Sequence, residues 1–220
     1  SEYQKAIALD KNYVDAYINL GVCYEKQNLL NKAQTALKKA IELDPVDPEA
    51  HFNLANTLYK KEELKDSLNE YIKTLKIDPT HFQAHINLGS IYFQDLKDDN
   101  KAIYYFNQAK RIKPKDETAY IKLGELYFKE ELFDKAISQY QVALKLNPSN
   151  PTTLTQFGLV YLTRGDTRGA LSVYEKLVKN EASLLMPANS LAHYALGIAY
   201  EKSGRFEEAL NEFGTVLSLN

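Results

Sequence analysis

Apolar and small residues return along this chain at a nearly constant interval. The pairs Leu20-Gly21, Leu54-Ala55, Leu88-Gly89, Leu123-Gly124, Phe157-Gly158 and Leu196-Gly197 are spaced by 34, 34, 35, 34 and 39 residues. Tyr24, Leu58, Tyr92, Tyr127, Tyr161 and Tyr200 each follow the small residue by three, which puts them on the same helical face one turn later. A third series, Ala33, Ser67, Ala102, Ala136, Ala170 and Ala209, marks where a second helix must come close to the first. A larger side chain there would push the two helices apart. Pro45, Pro79, Pro114 and Pro148 close the units, because proline lacks an amide hydrogen and cannot continue a helix. Pro48 and Pro151 fall where a first helical turn tolerates proline.

These series predict an all-α chain: a lone helix over 2–9, within a partial repeat at 1–13, then six helical hairpins. The hairpins span 14–47, 48–81, 82–116, 117–150, 151–189 and 190–220, each joined by a short polar turn such as 27–30. A hairpin of this size cannot bury its own apolar face and is stabilised by stacking on its neighbours, so 1–220 is expected to form one continuous array. The chain opens on a second helix and stops where a closing proline would come. Ser1 and Asn220 are therefore expected to be cut points in a longer array, whose uncovered ends could pair between copies. Asn180–Asn189 adds five residues to the fifth unit and holds Leu184, Leu185 and the single methionine, Met186; it is expected to prolong a helix or to form a loop.

The pattern resembles the tetratricopeptide repeat (TPR) family over essentially the whole chain. The family signature W-x2-L-G-x2-Y…A-x3-F…P is met closely by five of the six units. The opening tryptophan is replaced throughout, by Tyr17, His51, His85, Tyr120, Leu154 and His193. The resemblance implies an α-solenoid, a right-handed superhelix of helix-turn-helix hairpins that holds a protein or peptide segment in its concave groove.

Composition narrows the chemistry. The 27 Lys plus Arg against 29 Asp plus Glu leave a formal charge of -2, without the basic excess that draws in nucleic acid. No run of residues approaches the length of a membrane span. Cys23 is the only cysteine, which excludes an internal disulfide and suits a reducing, cytoplasmic setting. His51, His85 and His193 share one place in the repeat with Tyr17 and Tyr120, which points to packing in the wall between helices. His81 and His85 stand four apart, but His81 lies at a junction, so no metal site is expected there. Phosphate loops and hydrolase motifs are missing, and Cys23 has no histidine in register to act as its base. The chain is read as a non-enzyme with no cofactor.

Residues that change from unit to unit on the groove side of the first helices are the binding candidates. Asn19, Asn53 and Asn87 recur in register and are continued by Lys122 and Gln156, then broken by Ala195. An amide offers both a donor and an acceptor, so such a column can pair with the backbone of an extended peptide. Four residues earlier stand Asp15, Glu49 and Gln83, a column broken by Thr118 and Thr152. This arrangement resembles the ladders lining the superhelix of the O-linked N-acetylglucosamine transferase family, whose repeats recruit protein substrates; asparagine is also common at this place across the repeat family. Phe52, Ile86, Ile121 and Tyr194 precede the ladder by one residue, and Tyr59, Phe93 and Phe128 follow it by six. With Asn56, they are expected to line the groove and supply an apolar anchor. The two-carboxylate clamp of co-chaperone repeats is disfavoured, since Ile18 with Val22 and Phe52 with Asn56 stand where it needs Lys and Asn. The expected function is a protein-interaction scaffold. The alternatives are the substrate-recruiting arm of a larger enzyme, such as an O-linked N-acetylglucosamine transferase, or a subunit of a multiprotein assembly.

Overall fold

A computed structural model describes residues 2–179 and 188–219. Among them, thirteen helices and no strand are found. They are α1 (Glu2–Leu9), α2 (Val14–Lys26), α3 (Leu30–Leu43), α4 (Pro48–Lys60), α5 (Leu64–Ile77), α6 (Phe82–Gln94) and α7 (Asp99–Ile112). These are followed by α8 (Thr118–Lys129), α9 (Phe133–Leu146), α10 (Pro151–Arg164), α11 (Thr167–Val178), α12 (Ala188–Lys202) and α13 (Phe206–Leu219). The chain divides into two compact units, Ser1–Ile91 and Tyr92–Asn220, with the boundary inside α6. The predicted insertion at Asn180–Asn189 falls mainly on 180–187, outside the described residues, and α12 begins at Ala188.

Helix ends follow from local chemistry. Asp47 and Asn150 cap α4 and α10, accepting from the amides of Ala50 and Thr153 at 2.8 and 3.0 Å, with Pro48 and Pro151 in the first turn. Asp98 and Asp166 cap α7 and α11 in the same way. The hairpin turns repeat one device. The amides of Leu29, Glu63, Leu132, Asp166 and Arg205 each donate to the carbonyl five residues back, on Tyr24, Leu58, Tyr127, Tyr161 and Tyr200. The residue before each donor is left-handed: Asn28, Glu62, Glu131, Gly165 and Gly204 have φ between 57° and 87°. In the third turn Lys97 takes that role and Asp98 reaches back six residues to Tyr92, which accommodates the extra residue of the 35-residue spacing.

In four hairpins a glycine of the first helix faces a large side chain of the second. A Cβ at Gly124 would fall 2.8 Å from Tyr140 Cζ, and one at Gly197 2.5 Å from Phe213 Cε1. Gly21 and Gly158 face Leu37 and Tyr174 in the same manner. The small series of the second helices is fully enclosed: Ala33, Ser67, Ala102, Ala136 and Ala170 have no exposed surface, and the Ser67 hydroxyl donates to the Ala55 carbonyl at 2.8 Å. In the first unit Ile18, Leu37, Ala40, Leu54 and Leu58 form a core across α2, α3 and α4. In the second, Tyr140, Leu154, Phe157, Tyr174, Leu196 and Tyr200 run from α9 to α12. No helix among the described residues is long and apolar enough to cross a membrane.

Candidate functional site: the ladder face

Three first helices of the first unit, α2, α4 and α6, are cross-linked in sequence by polar contacts. Glu25 on α2 accepts from Lys60 Nζ at 2.8 Å and Thr57 Oγ1 at 3.2 Å, both on α4. Glu49 Oε1 on α4 meets the Nε2 of His81 at 3.2 Å, while Nδ1 of the same ring accepts the amide of Ala84 and so caps α6. Asn56 on α4 accepts from Asn87 on α6 at 3.0 Å. These contacts tie α2 to α4 and α4 to α6.

The rungs differ. Asp15, Asn19 and Glu49 are exposed and Asn53 half-buried. Asn19 and Asn53 share one conformation, in which Nδ2 donates at 2.8 Å to the carbonyl four residues back, on Asp15 and Glu49. Asn87 is drawn inward. Its Nδ2 donates to Asn56 Oδ1 and to the Tyr71 hydroxyl, both at 3.0 Å, and that hydroxyl donates to Asn56 Oδ1 at 2.5 Å. Tyr71 is 2% exposed; burial raises its pKa well above the ordinary phenol value, and the bond from Asn87 acts in the opposite sense. Half-buried Phe52 packs beside this triad, its ring centroid 4.5 Å from that of His81 and 5.9 Å from that of Tyr71. Tyr59 is exposed on α4.

In the second unit Lys122 Nζ pairs with Glu125 Oε2 at 2.8 Å on α8, and Gln156 is half-buried on α10. Phe128 is half-buried, its ring 6.2 Å from that of Phe133. Two expectations of an apolar lining are corrected: Ile86 is 6% and Phe93 is 9% exposed, and Phe93 carries Lys129 Nζ 4.8 Å from its ring centre. Both side chains are packing groups. Tyr194 is open to solvent.

The place of the missing tryptophan also has a defined geometry. His51 Nε2, His85 Nε2 and the Tyr120 hydroxyl lie 3.1, 3.0 and 3.2 Å from the carbonyls of Pro45, Pro79 and Pro114, six residues back in each case. The ring fills the wall and its polar tip ties the helix start to the preceding junction. His51 Nδ1 further meets Glu70 Oε2, and His193 Nδ1 meets Glu212 Oε2, both at 2.5 Å. Burial lowers the pKa of His85, with the Pro79 carbonyl acting against that shift. The repeat pattern alone does not point to Glu25 or to the Tyr71 triad. The one signal for the triad is a tyrosine at the second-helix position where the repeat pattern carries phenylalanine, since a buried hydroxyl needs a partner.

Profiles described as tetratricopeptide or TPR repeats match residues 2–35, 26–62, 55–95, 82–116, 117–150 and 155–217. The chain belongs to the tetratricopeptide repeat family. Across 53% of its length the TPR chain is 31% identical to the BBSome complex member BBS4 of Bos taurus, and the match covers 21% of that protein. The matched stretch is thus about a fifth of that curated relative's length. Among solved structures, Pseudomonas aeruginosa pilF is similar with a TM-score of 0.77 and 21% identity, covering 96% of this chain and 92% of that one. The MamA protein is similar with a TM-score of 0.66 and 26% identity, covering 78% and 90%.

Proposed function

We propose that this TPR chain is a non-catalytic interaction scaffold that holds an extended segment of another protein against the ladder face, and that it works within a multiprotein assembly. The observation that carries the reading is the shared conformation of Asn19 and Asn53. With Nδ2 of each turned onto its own helix, the carbonyl oxygens are left as outward acceptors at one repeat's separation, beside the carboxylates of Asp15 and Glu49. Acceptors in register suit the amide hydrogens of an extended backbone, and Phe52, Asn56 and Tyr59 stand next to them on α4. In the second unit Lys122, Gln156 and Phe128 take the corresponding places. Membership of an assembly is supported by the likeness to BBS4, itself a complex member. A cytoplasmic placement rests on the lone Cys23.

The test is selection of a random dodecapeptide library on the folded chain, followed by the double variant Asn19→Ala/Asn53→Ala. Asn19 is exposed, Asn53 is half-buried and each amide bonds within its own helix, so helix content should hold while selected peptides bind about tenfold more weakly, the effect of losing one to two net hydrogen bonds. Undiminished binding by the double variant would overturn the ladder reading.

A further inference from the structure

The Tyr71 triad of the first unit has a counterpart in the second that is left open. Counting 69 residues onward from Asn56, Tyr71 and Asn87 leads to Glu125, Tyr140 and Gln156. The ring of Tyr140 is placed as that of Tyr71 is: it is fully buried, its Cζ lies against Gly124, and its ring centroid is 6.1 Å from that of Phe157. Glu125 on α8 and Gln156 on α10 are the neighbours in sequence of Gly124 and Phe157, and the Glu125 carboxylate lies near the hydroxyl. Where Tyr71 donates to Asn56 and receives Asn87, the hydroxyl of Tyr140 has no hydrogen-bond partner among the described residues. Its natural acceptor is close by but engaged. Glu125 Oε2 is held by Lys122 Nζ at 2.8 Å, and both side chains are about a quarter exposed. The Glu125 carboxylate is near enough to reinforce the burial that keeps this hydroxyl protonated.

We propose that Lys122, Glu125 and Tyr140 form an exchangeable rung that reads an acidic side chain on the bound segment. A carboxylate arriving over α8 takes the Lys122 ammonium, and Glu125, released, turns to accept from the Tyr140 hydroxyl. No proton is transferred: one ammonium–carboxylate pair replaces another and one new O–H···O bond forms. The arriving carboxylate matters because the Lys122 side chain is only 27% exposed, so Glu125 is released at little cost only when another anion keeps that ammonium paired. A buried hydroxyl donating to a carboxylate makes one of the stronger protein hydrogen bonds and removes an unpaired buried group. The segment's acid thus gains affinity from a residue it never touches. Tyr140 is a positioning residue and Lys122 the contact.

This inference rests on the ladder-face reading, and one experiment separates the two. The random dodecapeptide library is selected in parallel on the wild-type chain and on Lys122→Met, Lys122→Arg and Tyr140→Phe. Phenylalanine is native at the corresponding place in the sixth hairpin, Phe213, so the last variant is expected to fold. Wild type and Lys122→Arg are expected to enrich peptides with Asp or Glu at one fixed position, and Lys122→Met to enrich peptides without it. Tyr140→Phe should bind the acidic peptides about fivefold more weakly, the worth of one hydrogen bond, and bind acid-free peptides unchanged. Enriched peptides that lack a fixed acid, or acidic peptides bound equally by Tyr140→Phe, would overturn the rung alone. Failure of any peptide to enrich would overturn the ladder-face reading and the rung with it.

Discussion

The hydroxyl of Tyr71 on α5 donates to Asn56 Oδ1 on α4, and Asn87 of the next hairpin donates into both. Three buried or half-buried polar groups from two hairpins thereby satisfy one another, and the bond that closes a hairpin also fixes its neighbour. Tyr71→Phe should therefore destabilise the chain by about 1–2 kcal/mol, the net loss of a buried bond whose acceptor stays behind. Tyr140→Phe, at the matching place without such a bond, should be neutral or mildly stabilising. Chemical denaturation of the two variants side by side checks the contrast, and equal losses would contradict it.

The glycines of the first helices act through closeness. At Gly158 a methyl group would run into the ring of Tyr174, which is 2% exposed and has no room to withdraw. Gly158→Ala should cost about 2 kcal/mol by overpacking. Gly214, with open space about its Cβ position, should instead gain a few tenths to about 1 kcal/mol on replacement by Ala, from helix propensity. Thermal melts of both single variants decide the matter.

Hairpin register is legible in the amino-acid pattern because each packing place admits few residue types: small at Gly124 and Ala136, ring-bearing at Tyr127. The wall role of His51 and His85 is legible for the same reason, since tyrosine fills the equivalent place at 120. Side-chain partners are not legible, because they depend on rotamers between hairpins. Asn19, Asn53 and Asn87 look alike in sequence, yet only Asn87 has Asn56 and a tyrosine hydroxyl within reach, and it turns inward. The spacing of Phe93 to the ladder suggests an exposed anchor, whereas the side chain is buried beneath Lys129. The boundary between Ile91 and Tyr92 has no mark in composition, because it falls inside an ordinary helix.

The turn geometry predicts gains. Glu62 and Glu131 hold φ of 63° and 57°, where a side chain with a Cβ is crowded against its own backbone. The fifth and sixth turns place Gly165 and Gly204 at the same point. Glu62→Gly and Glu131→Gly should each stabilise by about 0.5–1 kcal/mol, the relief of left-handed strain less the added freedom of the unfolded chain. Gly165→Ala should lose about 1 kcal/mol or more. Denaturation midpoints with unchanged slopes would bear this out.

Acid sensitivity should enter through His85. Its ring is 6% exposed, Nε2 faces the Pro79 carbonyl, and burial, with a smaller push from His81 and a counter-pull from Asp78, lowers its pKa below the ordinary 6.5. In the unfolded chain the ring takes a proton near pH 6.5, and in the folded chain only at lower pH. The unfolded state therefore binds more protons between those values, and stability falls as pH drops through that window. Above about pH 6.5 the stabilisation is fully present. Asp78, held below the usual carboxylate range chiefly by Thr80, adds a loss of the same sign only in stronger acid, below about pH 3.8. His85→Tyr should keep the junction bond, as Tyr120 does with Pro114, and flatten the stability profile just below pH 6.5. An identical slope in wild type and His85→Tyr over that range would show that the proton is taken up elsewhere.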